Sequence, residues 1–450
     1  MFCWKGRVRM KRRDKQMEWN PPQILITTFL SLIVLGTLIL MLPISTTNGI
    51  SIIDALFTST SAMTVTGLVV VDTGTAFTYF GEIVIMALIQ LGGLGIMTFA
   101  VLIYLALGRK IGIRERLLIK QALNQNTIGG VIALAKRLLI FSLIMEAIAV
   151  VFLSLVWVPE LGWGQGLYAS VFHAISAFNN AGFSIWSDSL SGYVGDPVVN
   201  IVITILFIIG GIGFTVVFDM WQSKEFRQLS LHSKLMIVGT LAINIFSFLM
   251  IFVLEYNNPN TLASMTTPDQ IQSAYFQAVT PRTAGFNTLD IGSMEHASLF
   301  YMIILMFIGG GSASTAGGIK LTTALLIVLA TFTFYKQREE VVTFKRSLPY
   351  SLVLRALSLA MGSVFVVLVA IFVLNLTEDA PFLDIVFEGV SAFGTVGLSM
   401  GLTGSLTIIG KVTIILTMLV GKLGPLTFAF AFAKHRIDRV KYPKEDVLTG

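Results

Sequence analysis

Charge is what this chain has least of. Only 12% of its 450 residues are Asp, Glu, Lys or Arg, while 55% are hydrophobic. An average soluble protein carries about twice that charged share. Several apolar runs pass about 18 residues, so most of the chain belongs in a bilayer and a water-soluble fold is excluded. Cysteine is scarcer still. Cys3 stands alone, which rules out an intrachain disulfide and a thiolate metal cluster. The histidines His173, His232, His296 and His435 are scattered, with no H-E-x-x-H. No G-x-S-x-G, no P-loop and no G-x-G-x-x-G between a strand and a helix occurs, so the chain shows no hydrolase signature and no nucleotide site of its own. An intramembrane protease would need Ser/His or paired Asp inside its spans. These spans hold one stray acid, Glu146, with Glu388 in a short helix. An enzyme does not fit. Nor does nucleic acid, because the net charge of +6 has another cause given below. The first apolar run, Ile24 to Leu42, has no small-residue cleavage site behind it and reads as a retained helix.

What is present is one pattern used four times. Thr64-Val65-Thr66-Gly67-Leu68, Asn179-Asn180-Ala181-Gly182-Phe183, Thr283-Ala284-Gly285-Phe286 and Thr395-Val396-Gly397-Leu398 share a small or polar lead, a glycine and a large apolar residue. Each follows a run of about 10 residues that suits a half-length helix: Asp54 to Met63, Leu167 to Ala177, Gln270 to Val279 and Phe382 to Ala392. A half-helix cannot cross a bilayer, which takes about 20 apolar residues. Irregular backbone at membrane depth is tolerated only where protein buries it or where it lines a polar cavity. Rings of carbonyls on re-entrant loops are how cation filters replace a hydration shell. Four loops make one ring, so the pattern points to a monovalent-cation pore.

The glycines Gly67, Gly182, Gly285 and Gly397 are 115, 103 and 112 residues apart, a single structural repeat near that period. The expected fold is an all-α polytopic membrane protein. It has four tandem repeats of helix, pore helix, filter strand and helix around one pore, with eight transmembrane helices and four re-entrant loops. The divisions are a basic arm 1–20, repeats at 21–107, 108–222, 223–335 and 336–433, and a tail 434–450. The closing helices are expected over about Glu82–Leu107, Val198–Trp221, Ala297–Phe334 and Leu406–Ala433. Each carries a glycine group: Gly92-Gly93-Leu94-Gly95, Gly210-Gly211-Ile212-Gly213, Gly309-Gly310-Gly311 and Gly421-Lys422-Leu423-Gly424. In the first two units these read as close-packing residues of membrane helices. In the third the run Gly309, Gly310, Gly311, Ser312, Ala313, Ser314, Thr315, Ala316, Gly317, Gly318 is too rich in glycine and serine for plain helix. It is expected to break the helix at mid-membrane and to obstruct the path beneath the filter.

Of the 31 Lys and Arg, 27 fall in the segments 1–20, 107–137, 222–234, 335–355 and 434–450. The loops of the other face carry acids such as Asp72, Asp188, Asp196, Asp290 and Asp379. The positive-inside rule then puts both termini in the cytoplasm and the filter mouths outside. Two of the four remaining bases are of interest. Arg282 is the only base within a filter, and its five donors suit tying loop carbonyls behind it. Lys422 sits mid-helix, about 16 Å by helix rise from the basic tail. It should therefore face protein or water at the level of the Gly309–Gly318 loop.

With those motifs in hand, the chain resembles the membrane subunit of the Trk/Ktr/HKT superfamily of potassium transporters, and most nearly its bacterial Ktr branch. The resemblance rests on the four glycine motifs and the Gly309–Gly318 run, and covers nearly everything after Pro21. It implies a K+ pathway, with K+ at Gly67, Gly182, Gly285 and Gly397, because one glycine per filter goes with potassium in that family. It also implies a homodimer in the plasma membrane, a cytosolic ring of nucleotide-binding regulatory subunits, and Na+ as a possible activator, with no other cofactor. The family's usual arginine in the fourth closing helix is Lys422 here. Two other readings stay open: a passive cation channel without Na+ coupling, and a membrane receptor or scaffold that binds without conducting.

Overall fold

The computed structural model describes residues 21–95, 131–223, 225–425, 427, 428, 443 and 445. The basic arm 1–20, the first closing helix beyond residue 95, most of the basic segment 107–137 and nearly all of the tail 434–450 lie outside the described residues.

The helices in chain order are α1 (Pro21–Leu40), α2 (Ile52–Thr64), α3 (Thr73–Ala76), α4 (Tyr79–Leu94), α5 (Val131–Leu161), α6 (Trp163–Phe178), α7 (Pro197–Ile212), α8 (Phe214–Gln222), α9 (Leu231–Glu255), α10 (Thr267–Val279), α11 (His296–Phe307) and α12 (Leu321–Tyr335), then α13 (Tyr350–Thr377), α14 (Phe382–Gly394) and α15 (Ile408–Leu423). The helical content is high, but the expectation of an all-α chain needs one correction. Between α12 and α13 stands a two-stranded antiparallel hairpin, β1 (Val341–Thr343) and β2 (Arg346–Leu348). Its turn residues Phe344 and Lys345 have φ of 46° and 61°, the left-handed pair that a two-residue hairpin turn requires.

Local sequence explains the helix starts. Ser51 caps α2 by accepting from the Asp54 amide, and Asp54 lies in the first turn, where the helix dipole favours an acid. Asp196 caps α7 ahead of Pro197, while Thr78 and Thr407 cap α4 and α15. The short helices α2, α6, α10 and α14 fall where the half-helices were expected, each a turn or less from the expected bounds.

Among the described residues three helices are long and apolar enough to cross a membrane unaided: Ala135–Leu161 within α5, α9 and α13. The α7–α8 pair qualifies if taken together, but it is bent by 94°. Segment Leu25–Leu40 and helices α4, α11 and α12 are apolar and shorter. The closing helices therefore depart from expectation. Val198–Trp221 is two helices, not one, and α4 and α15 stop at Leu94 and Leu423. The cause is the same each time. Gly95, Gly213 and Gly424 have φ of 81°, 105° and 83°, a backbone state that ends a helix and that residues other than glycine rarely reach.

The short helices and closing helices interlock in a cycle. Helix α4 packs on α6, α7 on α10, α11 on α14, and α15 returns to α2. Each closing helix thus meets the short helix of the following unit, and the last unit meets the first. The ion pair Lys411 Nζ to Asp54 Oδ1, 2.7 Å, joins α15 to α2 at that seam. The large residues after the glycines, Leu68, Phe183, Phe286 and Leu398, are all at most 2% exposed. Each such burial contributes about 1.5–3 kcal/mol and holds its strand from behind.

Candidate functional site

The four glycine strands come together as one ring. A methyl built on Gly67 would meet the Ala181 carbonyl oxygen. On Gly182 it would lie 2.8 Å from the Gly285 Cα. On Gly285 it would meet the Val396 carbonyl oxygen, and on Gly397 the Thr66 carbonyl oxygen. The order is first to second to third to fourth to first. No side chain fits at any of the four positions, so glycine is required by space as well as by conformation.

The backbone repeats along with the contacts. Two residues before each glycine stand Val65, Asn180, Thr283 and Thr395, with φ of 50°, 57°, 73° and 50°. Residues other than glycine cost roughly 1–3 kcal/mol each in that region and persist where their surroundings over-determine them. Here the surroundings are hydrogen bonds at the end of each short helix. Thr66 N donates to Ser61 O at 2.8 Å, Ala181 N to Ser176 O at 2.8 Å and Val396 N to Ser391 O at 2.9 Å. These span the same interval and close the helix ends as a left-handed cap does. In the third unit Ala284 N reaches only Thr280 O, at 3.0 Å. Side chains add ties: Ser61 Oγ accepts from Gly67 N at 3.1 Å, Ser176 Oγ donates to Phe183 O at 2.7 Å, and Thr280 Oγ1 donates to Phe286 O at 2.5 Å.

Among the described residues no hydrogen bond reaches the carbonyls of Thr66, Ala181, Ala284 or Val396. Buried carbonyls are rarely left so. Outside the ring opens a cavity of about 730 Å³, lined by all four glycines and by Asp72, Asp188 and Asp290. Chemically, then, the site is a ring of unsatisfied carbonyls beneath an acidic mouth, which suits a dehydrated monovalent cation.

The polar side chains expected at the filter are placed as follows. Thr64, Thr66, Asn179, Thr283 and Thr395 are fully buried, and none of them lines the outer cavity. Thr64 and Thr66 share a hydrogen bond of 2.7 Å between their hydroxyls. Asn180 donates to Thr283 Oγ1 at 3.4 Å, which links the second strand to the third. Asn179 turns outward, to Gln90 Oε1 at 2.6 Å and the Ile175 carbonyl at 2.9 Å. Arg282 does not tie loop carbonyls. Its Nη1 donates to Asn244 Oδ1 on α9 at 2.9 Å, a buried side-chain acceptor that takes the place of the loop carbonyls.

Below the ring, Gly309–Gly318 forms a non-helical segment between α11 and α12, and it bridges two other units. Gly311 N donates to Gly211 O at 2.7 Å and Thr315 N to Gly210 O at 3.2 Å. Phe214 N returns a bond to Ala313 O at 2.9 Å, and Gly318 N donates to Gly421 O at 3.3 Å. Glycines 210 and 211 therefore do more than pack helices: the break after them exposes carbonyls that receive the loop. Thr315 Oγ1 donates to Asn180 Oδ1 at 2.8 Å, joining the loop to a filter strand. A Cβ on Gly317 would meet Thr395 Oγ1, so the loop lies directly against the fourth strand as well. Lys422 Nζ donates to Thr315 O at 2.5 Å, and Lys320 Nζ to Ala316 O at 2.6 Å. Two ammonium groups thus hold consecutive carbonyls of the loop. Lys320, a lysine next to the glycine run at membrane depth, carries a signal of this role in the sequence. Glu146 stands out there only as a stray acid, and Gln90 does not stand out at all.

The family pattern of TrkH, described as a cation transport protein, matches residues 2–440. The chain is 56% identical over 442 residues to the Ktr system potassium uptake protein B of Bacillus subtilis, covering 98% of this chain and 99% of that one. It is 44% identical over 441 residues to the protein of the same name from Vibrio alginolyticus, with 98% and 97% covered. It is 38% identical over 450 residues to the potassium/sodium uptake protein NtpJ of Enterococcus hirae, with 98% and 99% covered. Among solved structures, the potassium transporter TrkH from Vibrio parahaemolyticus superposes with a TM-score of 0.75 at 23% identity, over 94% of this chain and 87% of that one.

Proposed function

The chain belongs to the TrkH family of cation transport proteins, among its Ktr potassium uptake members, and on that premise we propose that it carries K+ into the cell through the ring of four glycine strands. The family is one of transporters, not enzymes. The observation that carries the reading is the closed cycle of glycine-to-carbonyl contacts. A K+ ion leaving water needs oxygen ligands at fixed spacing, and the carbonyls of residues 66, 181, 284 and 396 accept no hydrogen bond among the described residues. The carboxyl ends of α2, α6, α10 and α14 lead into the ring, and each adds about half a negative charge at the ion. The acids of the mouth raise the local cation concentration.

The Gly309–Gly318 loop is the gate. It is pinned by Thr315 to the filter and by Lys422 and Lys320 from below, and it moves aside for conduction. Lys422 acts both as a latch and as a positive charge on the path. The remaining parts of the reading rest on the family. The chain sits in the plasma membrane with eight crossings, four of them interrupted or shortened by glycine, and with both termini in the cytoplasm. It pairs as a homodimer, responds to Na+, and takes its control from a cytosolic nucleotide-binding ring that docks on the basic inner face.

K+-limited growth of an uptake-deficient bacterium expressing the chain, with and without Na+, tests this. Rescue at low K+ that strengthens with Na+ is expected. No rescue despite confirmed membrane insertion would sink the K+ reading. Rescue indifferent to Na+ would favour the passive channel.

A further inference from the structure

Glu146 is an acid inside an apolar helix. It is 6% exposed, and among the described residues no basic group pairs with it, the one ion pair there being Lys411–Asp54. An ionisable residue at membrane depth is expensive and marks function by default. Its neighbours say which function. Gln90 on α4 donates through Nε2 to both carboxylate oxygens, at 3.0 and 3.3 Å. Asn179 Nδ2 lies 3.5 Å from Glu146 Oε1 and also donates to Gln90 Oε1 at 2.6 Å. Three elements from two units are joined: the first closing helix, the first helix of the second unit, and the foot of the second filter strand.

We propose that Glu146 is a positioning residue of the cation filter, which sets K+ preference by holding Asn179 through Gln90 and by placing a carboxylate behind the second strand. The proposal rests on the filter reading above. Asn179 stands three residues before Gly182, at the point where α6 ends and the strand begins. Gln90 and Asn179 offer amide nitrogens to Glu146 at 3.0 to 3.5 Å, which suits the acid as an acceptor. Asn179 has no room to shift, since a Cβ on Gly93 would meet its side-chain oxygen. The strand's foot is thus clamped between a glycine and an acid.

The third unit supplies an independent contrast. Arg282 stands three residues before Gly285 and likewise reaches the first helix of its own unit, at Asn244. The arrangement is the same with the charge reversed: a neutral amide held by an acid in one unit, a cation held by a neutral amide in the next. A ring whose carbonyls are equivalent thereby has unequal electrostatics behind it, with the anion behind the second strand.

Outer partners of cation ligands are worth roughly 10–100-fold in affinity. The test measures K+ and Na+ uptake in cells carrying the full chain, at matched membrane abundance, for Glu146→Gln, Glu146→Asp, Asn179→Ala and the double variant Glu146→Gln/Asn179→Ala. Gly182→Ser runs beside them. Glu146→Gln should lower the K+ to Na+ preference about tenfold. Glu146→Asp should keep most of it, and the double variant should be no worse than either single one. A structural role alone would lower abundance and leave the ratio in place. A Glu146→Gln chain with the wild-type ratio, while Gly182→Ser shifts it, overturns the proposal and leaves the filter standing. An unchanged ratio in Gly182→Ser as well removes the filter reading, and the proposal with it. If Glu146→Gln does not accumulate, Gln90→Met decides by the same measure: it breaks the link between acid and strand, and an unchanged ratio there overturns the proposal.

Discussion

The third unit keeps the ring glycine of the other three but differs from them in three respects. Units one, two and four end their short helix with the same six-residue hydrogen bond, and their closing helices stop at Gly95, Gly213 and Gly424. The third closes its turn through Thr280, carries Arg282 behind the strand, and replaces the helix end with the Gly309–Gly318 loop. Yet Gly285 takes its place in the ring with φ of 78° and the same kind of contacts as its counterparts. The difference teaches how one chain combines two demands. On the proposed reading, four equal backbones at one level coordinate the ion, and the loop of the one irregular unit controls its passage from the level below.

The largest expected effect tests the equality. Serine at Gly67, Gly182, Gly285 or Gly397 adds atoms where a carbonyl or a Cα already stands. Overpacking costs roughly 1–3 kcal/mol, and if all of it falls on the K+-bound state the K+ over Na+ preference drops by up to about a hundredfold. Uptake of the two ions should show this at all four sites. An effect at Gly285 alone would mean that the ring is not fourfold in function. The next prediction tests the asymmetry. Lys422→Gln replaces the ammonium donor to Thr315 O by a shorter, neutral amide and removes a charge near the path. An ammonium about 8 Å from K+ repels it by roughly 2 kcal/mol at an effective dielectric near 20. Uptake should therefore rise by up to about 30-fold, while Lys422→Arg stays near wild type. A glutamine variant no faster than the parent would take Lys422 off the conduction path.

Smaller is the effect of Thr315→Val, which deletes only the hydroxyl bond to Asn180. A bond worth about 1 kcal/mol predicts a roughly fivefold faster K+ flux with selectivity intact. A change in the K+ to Na+ ratio instead would show that the loop also shapes the filter. The smallest concerns the seam between the last unit and the first. Asp54 and Lys411 are 19% and 15% exposed. Asp54→Asn should lower thermal stability by at most about 1 kcal/mol and leave uptake unchanged. A large loss of transport would mean that ring closure depends on this pair rather than on helix packing.

Much of this molecule was legible before folding was considered. Hydrophobic runs, the recurring glycine and the placement of lysine and arginine are local or periodic properties. They announced the membrane, the repeat and the four strands, because a bilayer forbids loose backbone and leaves few alternatives. The run from Gly309 to Gly318 could not be a helix for reasons of composition alone. Tertiary structure decided the partners. That Asn179 turns outward to Gln90 and Glu146 while Asn180 turns down to Thr315 depends on the backbone, right-handed at Asn179 and left-handed at Asn180, of two asparagines that look alike in sequence. That Arg282 finds Asn244 and that two lysines 102 positions apart hold neighbouring carbonyls both follow from distances in the folded chain. Chain order carries no such distances. Packing sets them when four repeats close into a ring.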